Sequence, residues 1–208
     1  DLGNLDNGIF VENNSLMHTI TGNTIAFNKT NGICVPNAPS AEVVQTTSAR
    51  TRPGFRIPIS QNSIFANLAL GIDLGNPGVT ANHLGGKREA NIAQNFPELQ
   101  TATSDGQFTT VIGTLTSAPN ATFTLEFYAN PPASGAGATP CARQGRSVAF
   151  VTTIQTNANG NAVFNLAFPQ ALPGGFVNAL AIDAAGNTSE FSACAQAGGP
   201  LGPAVREV

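Results

Sequence analysis

With 208 residues the chain is long enough for one large or two small domains, and two small domains are the expectation. Charged residues make up only 10% and the net charge is -3, too sparse and too balanced for a nucleic-acid surface or an electrostatic membrane anchor. No run approaches the roughly 18 consecutive apolar residues that a span requires, so no membrane span is expected in this chain.

Glycine (22) and proline (14) are plentiful and tryptophan is absent, a mixture suited to short strands joined by tight turns. The chain reads as all-β. Asp1-Leu2-Gly3-Asn4 resembles the later Asp73-Leu74-Gly75-Asn76, so the sequence is expected to open inside a repeated unit, with any export signal, anchor and further repeats lying upstream. Asn7-Gly8-Ile9-Phe10-Val11 recurs as Asn31-Gly32-Ile33-Cys34-Val35 and, more loosely, as Leu70-Gly71-Ile72-Asp73-Leu74. The glycines lie 24 and then 39 residues apart, and Ile25 and Ile64 are also 39 apart. A coil of about 24 residues therefore carries an insertion in its next copy, and each coil must stack on a neighbour to bury its apolar side. Asn23, Asn28, Asn62 and Asn67 sit at the turns, where stacked amides form hydrogen-bonded ladders; the structural role is favoured over a catalytic one.

The insertion, about 36–58, holds Arg50, Arg52 and Arg56 within seven residues. It reads as a solvated loop, or as a small basic contact for an acidic partner or glycan. From about 81 to 96 the chain is polar and aperiodic and marks a linker. Beyond it the period changes to two. Phe123, Leu125 and Phe127 alternate with Thr122, Thr124, Glu126 and Tyr128, as in a strand with one face buried and the other wet. Similar runs at 108–115, 147–154, 162–168 and 176–183, with edge strands near Leu99 and Ser189–Cys194, suggest a seven-stranded sandwich over 97–195 and a tail at 196–208. Cys141 and Cys194 flank its second half and are a candidate disulfide; Cys34 reads as a small buried hydrophobe.

Gly71-Ile72-Asp73-Leu74-Gly75-Asn76, Gln94-Asn95-Phe96-Pro97-Glu98-Leu99, Ile112-Gly113-Thr114-Leu115, Phe123 to Asn130 and Asp183 to Cys194 together resemble the C-terminal part of large bacterial exported proteins with parallel β-helix repeats. The resemblance implies the C-terminal coils of a right-handed parallel β-helix followed by an immunoglobulin-like β-sandwich, in an extracytoplasmic location, and it implies little chemistry. Two departures stand out. Asn82 to Glu89 offers cations where similar proteins are rich in Asp, which argues against calcium there, Asp73 and Asp105 being the residual carboxylates. Leu180 and Ile182 occupy positions expected to face solvent, so that strand is covered either by the same chain or by a partner.

No cofactor or metal is expected, since Cys34, Cys141 and Cys194 lack zinc spacing and neither His is near them. The solenoid's carboxylates, Asp1, Asp6, Glu12, Glu42 and Asp73, share no obvious position in successive coils, His18 stands alone, and no serine lies in a Gly-x-Ser-x-Gly elbow. The expectation is a noncatalytic structural or binding module that docks onto a larger protein assembly or a surface glycan through Leu180 and Ile182, the arginines or an exposed coil. The alternative is a fragment of a polysaccharide lyase or hydrolase whose catalytic coils lie upstream.

Overall fold

The computed structural model describes residues 3–37, 53–75, 77–84, 87, 89–132 and 141–198, and over these the protein is all-β apart from a 3-10 turn at Ala90–Ala93. Arg50 and Arg52 lie outside the described residues. Among the described residues no helix is long and apolar enough to cross a membrane.

Seven short strands come first: β1 (Ile9–Phe10), β2 (Ile20–Thr21), β3 (Thr24–Ala26), β4 (Ile33–Pro36), β5 (Ile59–Ser60), β6 (Ser63–Phe65) and β7 (Ile72–Gly75). They pair in parallel and only between repeats, as β1-β4-β7, β2-β5 and β3-β6. The repeat spacing sets the register: Ile9 aligns with Ile33, Ile33 with Ile72, Ile20 with Ile59 and Ile25 with Ile64. A slip by one residue would turn these isoleucines outward, and Ile20, Ile25, Ile33, Ile59, Ile64 and Ile72 are buried together. Cys34 lies fully buried beside them; burial, then Asp73 and Asp6, push its thiol up to about 12, leaving it a small inert hydrophobe.

The remaining strands are β8 (Glu98–Ser104), β9 (Thr109–Thr116), β10 (Thr122–Asn130), β11 (Ser147–Gln155), β12 (Asn161–Phe168), β13 (Phe176–Asp183) and β14 (Ala195–Gly198). They form one seven-stranded sheet in the order β11-β10-β13-β14-β8-β9-β12, antiparallel except at β14-β8. Its two edge strands are consecutive in the chain, joined by a turn where Gly160 takes φ +79°, so the sheet curls round until it nearly closes. Inside it Phe127 meets Phe164 edge-on at 5.7 Å, and Phe123, Leu125, Phe168, Val111 and Leu115 fill the core.

Three sequence expectations are corrected. The strand near Leu99 is interior, between β14 and β9, and the edges are β11 and β12. Ser189–Cys194 is largely irregular, the last strand forming at Ala195–Gly198 inside the expected tail. The polar stretch at 81–96 is anchored: Asn82 and Asn95 exchange hydrogen bonds with the main chain of Phe96 and His83, and Ala90, Asn91 and Ala93 are buried. Aperiodic polarity there reflects side chains standing in for strand pairing.

Candidate functional site

The glycines and asparagines of the repeats fit one another by close approach. A Cβ on Gly8 would lie 2.6 Å from both Ile25 Cγ2 and Asn28 Nδ2 and 2.7 Å from Gly32 O; on Gly32 it would meet Ile64 Cγ2, Gly71 O and Asn67 Nδ2 in the same way. Only glycine lets the chain pass there. The asparagines form a ladder: Asn28 Oδ1 accepts Asn4 N at 3.2 Å, and Asn67 Oδ1 accepts both Asn28 N at 3.1 Å and Asn28 Nδ2 at 2.7 Å. A second ladder runs from Asn23 N and Nδ2 to Asn62 Oδ1 at 2.9 and 3.0 Å.

At Gly71 the pattern continues without a further repeat. The role of the isoleucine is taken by Phe191, whose ring would lie 2.9 Å from a Cβ on Gly71, and the role of the next glycine carbonyl by Arg143 O, which accepts Gly71 N at 3.2 Å. Gln144 extends the ladder: its Oε1 accepts Asn67 N at 2.9 Å and Asn67 Nδ2 at 3.1 Å, while its Nε2 donates to Asn67 O and Ala69 O at 2.8 and 2.9 Å. The segment at 143–146 thus meets the last repeat as each repeat meets the one before it.

Other open donors of the last repeat are met the same way. Arg56 N is accepted by Asn187 Oδ1, Ile57 N by Asn91 Oδ1, Ile59 N by Thr188 Oγ1, Gln61 N by Glu126 Oε2 and Ile64 N by Gly145 O. The two oxygens of Glu190 take Leu74 N and Thr80 N, both at 3.0 Å. An exposed parallel ladder presents unpaired main-chain groups that invite another strand. Here side chains of the second unit end it.

Apolar packing backs these polar contacts. Leu180, Tyr128 and Phe191 are buried in the same cluster as the repeat isoleucines, with Ile182 packed against it, and Tyr128 meets Phe191 edge-on at 5.0 Å. The expectation that Leu180 and Ile182 form an open partner contact is therefore corrected: the repeats of the same chain cover them. Glu126 and Tyr128, expected on a wet face, are buried for the same reason, and Tyr128 OH donates to Glu126 at 2.6 Å. Burial, and then the Glu126 charge, push the Tyr128 hydroxyl well above its ordinary range. Burial also pushes the Glu190 carboxyl up to about 7, against the lowering effect of its two main-chain donors and with a further rise from Asp73. Arg143 stacks over Phe96 at 4.8 Å and donates to Phe191 O at 2.9 Å; burial lowers its pKa, opposed by Glu190.

Two left-handed turns of non-glycine residues meet the last repeat, at Asn91–Ala93 (φ 43°, 53°, 47°) and Cys141–Arg143 (φ 43°, 41°, 52°). Such backbone costs about 1–2 kcal/mol per residue and persists where its surroundings fix it. The second turn is tied by the Cys141–Cys194 disulfide, with Cα atoms 6.3 Å apart.

The other candidates are dispersed. Arg56 is exposed, its guanidinium 6.0 Å from the Phe55 ring. Asp73 Oδ2 is buried and accepts Asn31 Nδ2 and Gly78 N, whereas Asp105 caps the distant β8–β9 turn, where bonds from Phe108 N and Gln107 N lower its pKa. Among the described residues no three His, Cys, Asp or Glu side chains gather as a metal site. His18 is exposed. Sequence reasoning missed Gln144, Glu126, Glu190, Asn91, Asn187 and Thr188 as a set. Glu126 carried a signal, being the one charged residue in a strand otherwise of Phe, Leu, Thr, Tyr, Ala and Asn. No protein-family model matches this chain, nor does any curated protein.

Proposed function

We propose that this chain is a noncatalytic extracytoplasmic module: the C-terminal coils of a right-handed parallel β-helix, ended by an immunoglobulin-like β-sandwich, that docks onto a larger protein assembly or cell surface. The observation that carries the reading is the asymmetry of the repeat stack. Its last repeat is met group by group by Gln144, Glu126, Glu190 and Thr188, while the outer edges of β1, β2 and β3 have no strand partner among the described residues. Leu5, Phe10, Met17 and Phe27 stand exposed on that same first repeat, at 88%, 55%, 68% and 56%. A repeat stack whose last repeat is met by side chains of the same chain is closed at that end, and the faces left on its first repeat are where a larger assembly, or further repeats, would stack. The disulfide fits an oxidising compartment.

Mass and sedimentation analysis of the protein from its native source tests the docking. The reading expects a stoichiometric complex that Leu5→Asp with Phe10→Asp disrupts while the fold persists, both side chains being exposed. A free, monodisperse protein, or a complex indifferent to those changes, contradicts it.

A further inference from the structure

We propose that Asn120 is a modification site, the asparagine through which this chain carries an N-linked glycan. Four Asn-x-Ser/Thr sequences occur, opening at Asn13, Asn28, Asn120 and Asn187. A glycan transferase reads this pattern, in which the asparagine amide is the nucleophile and the hydroxyl two residues on is the recognition group. The folded protein must then keep a bulky, hydrated product in water. The fold separates the four on that ground. Asn28 and Asn187 are buried, and both are committed elsewhere. Asn28 Nδ2 donates to Asn67 Oδ1 at 2.7 Å inside the ladder, and the Thr30 hydroxyl donates to Asn7 Oδ1 at 2.9 Å. Asn187 Nδ2 donates to Asp183 Oδ2 at 2.7 Å, its Oδ1 accepts Arg56 N, and Ser189 Oγ donates to Glu190 O at 2.7 Å. A glycan on either nitrogen has no room where its residue sits. Asn13 is half-buried, with its amide oxygen shut off from solvent.

Asn120 is placed the opposite way. It is exposed in the turn between β9 and β10 at φ 51°, a conformation that asparagine tolerates, and its main-chain N–H is tied to Asn157 O at 3.0 Å. The backbone is fixed, while the side-chain amide has no hydrogen-bond partner among the described residues. Thr122, the first residue of β10, is exposed, and its hydroxyl is unpartnered in the same sense. Nucleophile and recognition group therefore stand together in solvent at this one pattern. In the transfer, Asn120 Nδ2 forms a bond to the anomeric carbon of a glycan donor carried on a lipid pyrophosphate. The bond from that carbon to the pyrophosphate oxygen breaks, the lipid pyrophosphate leaves with the electron pair, and the nitrogen gives up one proton. Such transfer belongs to secreted proteins, so the proposal rests on the extracytoplasmic part of the reading above and not on its docking partner.

Peptide mapping by mass spectrometry of the full chain from its native source, kept non-reduced until the Cys141–Cys194 state is read, tests the site. The peptide holding Asn120 is expected to carry a glycan on most copies, and enzymatic release should leave aspartate at that position. The peptides holding Asn28 and Asn187 should be bare. Expressed in the same host, Thr122→Val and Asn120→Gly should lose the glycan completely, and Thr122→Ser should retain it. Both losing variants keep the fold, since Thr122 is exposed and glycine suits the positive φ at 120. A bare Asn120, a glycan on Asn28 or Asn187 of the folded protein, or a glycan that persists in Thr122→Val would each overturn the proposal. With a bare Asn120, an oxidised Cys141–Cys194 pair leaves the extracytoplasmic reading standing, whereas a reduced pair takes that reading down as well.

Discussion

Replacing Gln144 by alanine removes the side chain that stands in for the next repeat. Four hydrogen bonds go with it, two to Asn67 main-chain atoms, one to the Asn67 amide and one to Ala69 O. The losses are unequal. Asn67 Nδ2 keeps its bond to Ile25 O at 3.1 Å, and Ala69 is exposed enough for water to reach its carbonyl. Asn67 N and O sit in a residue only 6% exposed, and an unpaired buried group costs about 1–3 kcal/mol. The expected destabilisation is about 3 kcal/mol, equivalent for a chain of this size to a Tm fall of roughly 6–12 °C. Urea unfolding under non-reducing conditions measures it, with Gln107→Ala as control: that residue is exposed on a turn and its loss should stay within about 0.5 kcal/mol. A Gln144→Ala variant no less stable than the control would refute the reasoning that Gln144 satisfies the last repeat.

Three further outcomes follow from the same junction. Reduction of Cys141–Cys194, which spans 53 residues, releases the turn that presents Gln144 and should cost up to about 4 kcal/mol by loop entropy, read as a lower Tm in dithiothreitol. Glu190 is held up to about 7 from 4.5, so its protonated form is favoured in the fold; its contribution is fully present below pH 4.5 and is lost as pH rises through about 7. Stability should therefore fall by roughly 3 kcal/mol from this group between those limits, and a Glu190→Ala variant should lack that part of the pH slope in urea titrations. Leu180→Ala should cost about 2–5 kcal/mol as a buried truncation, whereas a role confined to an external partner would leave the Tm unchanged.

The repeats were legible because a parallel ladder requires equal spacing: the 24- and 39-residue intervals named the pairs Ile9–Ile33, Ile33–Ile72 and Ile25–Ile64 that stack. The ladders of Asn23, Asn28, Asn62 and Asn67 were legible for the same reason. Period-two alternation found β9 to β13 within a residue or two at each end. The site was not legible, because its parts belong to segments far apart in sequence and each substitutes a different group for a repeat position. Gln144 replaces an asparagine, Phe191 an isoleucine and Arg143 O a glycine carbonyl, so no self-similarity links them to the repeats. The alternation of β10 assigned Glu126 and Tyr128 to the face opposite Phe127, yet a strand read alone cannot say what covers its second face. The left-handed turns at 91–93 and 141–143 contain no glycine to announce them.

Native-state hydrogen exchange tests the central claim most directly. The amides of Ile57, Ile59, Gln61, Ile64, Asn67, Gly71 and Leu74 each donate to a group between Asn91 and Glu190. If the second unit closes the repeat stack, these amides exchange as slowly as those in the middle of β10. Exchange near the rate of an unstructured chain, with β10 still protected, would contradict it.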